Sequence, residues 1–191
     1  MIPDSQPIEI SITPLIQGSE FSDWKSLNDT IMGGSSLATC RSSEKGLFLE
    51  GNLVEEGGGF VSCRSPIFDK AIDLSKYSGL ILDVEGEGRT LKFAIACEKK
   101  PLSLSNFLKG DIRWVASIPT KKIGASRIKI PFKDFEPARR AKPVRLPLRF
   151  DARCINRFQI LHSKFGQPGK MNSGFFSGPI KVLIKSISAY F

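Results

Sequence analysis

Leu80-Ile81-Leu82-Asp83-Val84-Glu85, Gly86-Glu87-Gly88-Arg89 and Leu91-Lys92-Phe93-Ala94-Ile95-Ala96-Cys97 follow one another, and their reading decides the fold class. The first run is a short, mostly apolar segment of strand length. Two glycines within the next four residues mark a tight turn. The third run alternates polar and apolar side chains, as a half-buried strand does. Together they predict a β-hairpin.

Working outward, the same punctuation recurs. Leu47-Phe48-Leu49-Glu50-Gly51-Asn52-Leu53 reads as a strand, and Gly57-Gly58-Gly59 turns the chain into Phe60-Val61-Ser62-Cys63-Arg64. Ile112 to Ile118, Ser126 to Ile130, Arg157 to Leu161 and Ile180 to Phe191 are further strand candidates. No window of about eleven or more residues carries a helical stripe. Ser103 to Leu108 and Lys133-Asp134-Phe135 suit single helical turns. Short strands, glycine-rich turns and no intervening helices predict an all-β sandwich or barrel. Pro137 to Pro147 is basic and proline-rich and reads as a long loop. Residues 1–20 read as an arm able to add a strand, and residues 21–191 as a single domain.

The chain has 191 residues and 41% hydrophobic content, enough for a core and against wholesale disorder. No run of about 18 apolar residues exists, so no helical membrane span is expected. Met1-Ile-Pro-Asp-Ser-Gln-Pro7 has the basic character of neither a signal nor a transit peptide, so the expected location is the bacterial cytoplasm, with peripheral association at a membrane as the alternative. Cys40, Cys63, Cys97 and Cys154 form no C-x-x-C pair, and His162 is the sole histidine, so no metal or cofactor site is expected. Reduced, buried thiols are the preferred reading of the cysteines over a disulfide pair.

Charge is divided unevenly. Up to Gly88 there are 6 Lys and Arg against 14 Asp and Glu, a net −8; from Arg89 onward there are 22 against 5, a net +17. An electropositive face for an acidic partner is expected. Arg139, Arg140, Lys142, Arg145, Arg149, Arg153 and Arg157 lie within nineteen residues, with Asp151 the only acid among them. Pro143 and Pro147 favour extended chain there, in which residues four apart share a face.

Five segments, in order, resemble the complex I intermediate-associated protein family, which includes a thirty-kilodalton mitochondrial assembly factor and bacterial and plastid relatives. Trp24, Asn28, Asp29, Met32, Gly33, Gly34 and Ser36 match its opening pattern of a Trp followed by N-D-x-x-M-G-G-x-S. Gly58, Gly59, Phe60 and Arg64 match its G-G-F element. Asp73 to Leu80 resembles its D-L-S-x-Y-x-G-L turn, Ile130 to Pro137 its I-P-F-x-D-F-x-P segment, and Ile184 to Tyr190 its closing strand. The resemblance implies a jelly-roll β-sandwich like that of galactose-binding and carbohydrate-binding modules. It also implies an assembly role without established catalysis. An aromatic-rich stretch common in the family after the central hairpin is replaced here by Lys99-Lys100-Pro101-Leu102-Ser103-Leu104.

Three site readings follow. Trp24, Asn28 and Asp29 could stack on and hydrogen-bond a sugar, as a carbohydrate-binding module does, although the segment's turn chemistry favours a structural role. Arg139, Arg140, Lys142, Arg145, Arg149 and Arg153 form the expected contact for acidic protein subunits of a membrane-associated electron-transfer complex. RNA and an anionic membrane surface are the alternatives for that patch. Enzymatic readings are poor. His162 has no nucleophile context, and Glu55, Glu56, Glu85 and Glu87 sit beside turns where solvated acids are expected.

Overall fold

The computed structural model describes residues 10–98 and 111–191. Thirteen strands among them build two antiparallel sheets, as expected for an all-β sandwich. The first sheet has the order β3 (Leu37–Ser43), β4 (Gly46–Leu53), β13 (Gly178–Tyr190), β6 (Gly79–Glu85), β9 (Ser126–Pro131). Strand β1 (Ile12–Gln17) joins it on β13. Strand β13 is long enough to pair with β4 over its first half and β1 over its second, while β6 runs along its other edge. The second sheet has the order β11 (Lys142–Pro143), β10 (Glu136–Arg139), β8 (Arg113–Pro119), β7 (Thr90–Cys97), β12 (Ile155–Ser163), β5 (Phe60–Arg64), β2 (Lys25–Ser26).

The core lies between the sheets. Leu80, Leu82 and Val84 of β6 and Leu91, Phe93 and Ile95 of β7 are all fully buried there, together with Leu47, Leu49, Ile118, Phe158 and Ile187. Period-two alternation puts these side chains on one face of each strand. Burial of so many large apolar groups dominates the stability.

The predicted β6–β7 hairpin does not form. The turn is present, with Glu87 and Gly88 at φ 55° and 81° and the Arg89 N–H donating to the Gly86 carbonyl at 2.9 Å. The two strands it joins, however, belong to opposite sheets. Both edges of β6 are taken by β13 and β9, and both edges of β7 by β12 and β8. A tight turn serves an arch between sheets as readily as a hairpin, and long-range pairing decides between them.

Two further expectations are corrected. The segment read as a long loop carries β10 and β11, which pair through Ala138–Pro143 and Arg139–Lys142. Arg140 and Ala141, at φ 49° and 62°, make the tight turn between them. The cysteines are not all reduced, because Cys40 of β3 and Cys63 of β5 form a disulfide across a Cα separation of 5.9 Å. That bond ties one sheet to the other. The lysine-rich stretch that replaces the family's aromatics, and the Ser103 to Leu108 turn, fall outside the described residues.

Candidate binding surfaces

The Trp24–Gly34 segment is built into the interior. Trp24 keeps 6% of its surface exposed and meets Phe21 edge to face at 5.3 Å. Asn28 donates from Nδ2 to the Ala38 carbonyl at 2.9 Å. Asp29 is fully buried. Its carboxylate accepts the Ser36 N–H at 2.9 Å, the Ser36 hydroxyl at 2.6 Å, the Gly59 N–H at 2.7 Å and the Phe60 N–H at 3.3 Å. Burial acts to raise the Asp29 pKa, but these donors outweigh it and hold the carboxyl below the usual carboxylate range. A Cβ at Gly34 or Gly58 would stand 2.4 or 2.5 Å from the Asp29 side chain, so both positions require glycine. For Trp24, Asn28 and Asp29 as sugar contacts, the indole offers no open face and the Asp29 carboxylate is already engaged.

His162 is buried and stacks on Phe175 with ring centroids 5.2 Å apart. Its Nε2 accepts the Phe176 N–H at 3.3 Å, which leaves Nδ1 to carry the proton and donate to the Thr90 carbonyl at 3.1 Å. Burial, only partly offset by the Thr90 bond, pushes its pKa down to about 4. A neutral ring with both nitrogens engaged has no free site for general-base work. Glu85 pairs with Lys185 at 2.6 Å and Glu87 with Arg89 at 2.9 Å, so neither is a free catalytic acid.

The basic residues divide by their surroundings. On the first sheet, cations meet carboxylates across strands: Arg41 and Lys181 both reach Glu50, Arg127 reaches Asp83, and Lys185 reaches Glu85. Along the β10–β11 edge of the second sheet the pattern differs. Arg140, Lys142, Arg145 and Arg149 are exposed, and no carboxylate of a described residue lies within 4.0 Å of them. Arg139 sits opposite Lys142 in the same hairpin. Arg153 departs from the expected group. It lies in the loop before β12, where its Nε and Nη2 donate to the two Asp151 oxygens at 2.9 and 3.0 Å. Phe150 and Phe158 pack inward, against Trp114 and Phe93 among others, so neither offers a stacking face beside the patch.

A third surface was not anticipated. Arg64, Arg113 and Arg157 lie on the outer face of the second sheet, the side away from the core. They come from β5, β8 and β12, far apart in sequence, so only strand register brings them together. Each stands at an alternating, outward position of its strand. Beyond Arg64's place in the G-G-F element and Arg157's in the basic run, that alternation is the sequence signal they carry.

The architecture is that of a two-sheet β-sandwich. Several solved structures share this fold at low identity. The family 11 carbohydrate-binding module from Clostridium thermocellum, solved with a β-1,3-1,4-mixed-linked tetrasaccharide, is 17% identical with TM-score 0.63 over 93% of this chain and 94% of that one. The same module type from the cellulosomal cellulase Lic26A-Cel5E of Clostridium thermocellum is 15% identical with TM-score 0.60, covering 96% and 95%. A region of the agarase AgWH50C is 7% identical with TM-score 0.52, covering 92% of this chain and 26% of that one. No curated protein sequence matches. The chain belongs to the Complex I intermediate-associated protein 30 family, whose model matches residues 15–181. Among the described residues no helix is long and apolar enough to cross a membrane.

Proposed function

We propose that this protein is a non-catalytic accessory factor that binds acidic subunits of a membrane-associated electron-transfer complex through its β10–β11 edge. Family membership supports a complex I assembly role in general terms. One observation carries the choice of surface. Arg41, Arg127, Lys181 and Lys185 on the first sheet meet carboxylates across strands, whereas Arg140, Lys142, Arg145 and Arg149 have none among the described residues. Unneutralised, exposed guanidinium groups steer an acidic surface and supply charge-assisted hydrogen bonds on contact. Arg139 belongs to the same hairpin. Arg153, held by Asp151, contributes least.

Catalysis has no support in the buried groups that could carry it, since His162 and Asp29 are both engaged in structural bonds. Sugar binding through Trp24 has none either, and likeness to carbohydrate-binding modules speaks for the fold alone. Single-stranded RNA would meet the same cations without aromatic platforms beside them.

The test is recovery of complex subunits from solubilised membranes on the immobilised protein. Replacing Arg140, Arg145 and Arg149 by Glu is expected to abolish it. Equal recovery by the native and reversed proteins would remove this edge as the recognition surface.

A further inference from the structure

On the outer face of the second sheet, Gln159 stands opposite both Arg64 and Ala94, Arg157 opposite Ala96, and Arg113 opposite Ala138. The strand order β8-β7-β12-β5 therefore flanks Ala94 and Ala96 with three arginines. Neighbouring strands lie about 4.8 Å apart, and an arginine side chain spans more than one such spacing. Methyl groups at Ala94, Ala96 and Ala138 leave the floor between the arginines low. All three alanines are nonetheless buried, at 3%, 7% and 5% exposure, and Ala94 and Ala138 cluster with Val115 and Leu161.

The charge there is unbalanced. Among the described residues, Asp111 is the one carboxylate within 4.0 Å of the trio, with an oxygen 3.9 Å from Arg113 Nη2. Arg64 and Arg157 form no ion pair with a described residue. Three guanidinium groups against one carboxylate leave two positive charges. The Nε of Arg157 is also buried and donates to no acceptor. A buried donor without an acceptor is costly unless something supplies one. Burial lowers the pKa of both Arg113 and Arg157, and the Arg64 guanidinium lowers both further, so the three groups sense one another.

We propose that Arg64, Arg113 and Arg157 form a binding site for a dianionic phosphoryl group, carried by free phosphate or a small phosphomonoester. Planar guanidinium forks match phosphoryl oxygens two at a time, and a dianion balances the two excess charges. An oxygen reaching the floor would also give Arg157 Nε its missing acceptor. The site borders β10 at Ala138, but none of its three arginines belongs to the proposed β10–β11 contacts, so its failure and the failure of the assembly reading are separate outcomes.

The test uses the full chain, with inorganic phosphate and glycerol 3-phosphate as probes and chloride at matched ionic strength as reference. Both probes are expected to raise the melting temperature beyond chloride, with binding confirmed by calorimetry. Equal affinities would identify the free ion as ligand, and tighter glycerol 3-phosphate an organic ester. Arg157→Gln and Arg64→Gln are each expected to weaken binding at least about tenfold. Arg64→Lys should fall between them and the native protein, since it keeps the charge and loses the fork. Arg127→Gln, on the other sheet, is expected to bind as the native protein does. Without phosphate, Arg157→Gln should melt no lower than the native protein, because it relieves like-charge crowding. Should it melt lower, Arg64→Lys and Arg64→Gln carry the decision. A shift no larger than that of chloride, or native affinity in both Arg64 variants, would overturn the proposal.

Discussion

The Asp29 carboxylate accepts the backbone N–H of Gly59 at 2.7 Å, joining two glycine-rich segments thirty residues apart in sequence. Gly34 and Gly58 leave room for that carboxylate, while Gly33 and Gly59 take φ of 86° and 92°. Ser36 closes the knot, donating its hydroxyl to Asp29 and accepting the Val54 N–H at 2.9 Å. The N-D-x-x-M-G-G-x-S and G-G-F patterns are thus two halves of one structural device.

Asp29→Ala should lower the unfolding free energy by about 3 kcal/mol, because it strands buried donors that a charged acceptor now satisfies. Denaturant titration measures it. Gly58→Ala should cost a comparable amount by driving a methyl group into the carboxylate. A loss below about 0.5 kcal/mol in both variants would contradict the knot.

The Cys40–Cys63 bond closes a loop over a sequence separation of 23. Loop-closure entropy assigns such a cross-link about 3 kcal/mol. Cys40→Ser with Cys63→Ser should lose about that amount in oxidising buffer and become insensitive to added reductant. Identical melting of native protein with and without reductant would count against the bond.

The folded state holds His162 at about 4, well below its ordinary 6.5. The unfolded chain takes up the proton first as pH falls. Stability from this group is therefore full above pH 6.5 and lost between 6.5 and 4, by about 3 kcal/mol. The Asp29 carboxyl, held low, adds its loss only at more acidic pH. His162→Gln should flatten the stability profile between pH 4 and 6.5. An unchanged slope in that window would show that other groups set it.

Lys92 lies on the outer face of β7, 5% exposed, opposite Ser117 and Leu161. Burial pushes its pKa down to about 8. The folded state thus releases this proton before the unfolded chain does, and stability rises with pH from about 8 to 10.5. Lys92→Met should stabilise the protein at pH 7 by on the order of 2 kcal/mol, measured by denaturant unfolding. Destabilisation would mean that the ammonium has a partner worth more than its burial cost.

Strands with clear alternation were legible from sequence, and Phe60–Arg64 has the bounds its pattern predicts. Strand β3 was not, because its outward residues Thr39, Arg41 and Ser43 and its small Ala38 give a weak apolar signal. Strand β1 lies in the arm read as able to add a strand, but its bounds were obscured by Pro14, which a strand pairing on one side tolerates. The charge asymmetry was visible, yet pairing within it was not. That Arg153 is held by Asp151 while Arg140 and Arg149 are not depends on loop geometry. The Arg64, Arg113 and Arg157 cluster depends on register across four strands, which no local pattern encodes.

The most direct test of the assembly reading is site-specific photo-crosslinking in native membranes. A photoreactive residue replacing Leu146, at the basic edge, should crosslink to subunits of the electron-transfer complex. The same residue replacing Leu37, exposed on the opposite sheet, should not. Crosslinks from Leu37 as abundant as those from Leu146, or none from Leu146, would contradict recognition through the β10–β11 edge.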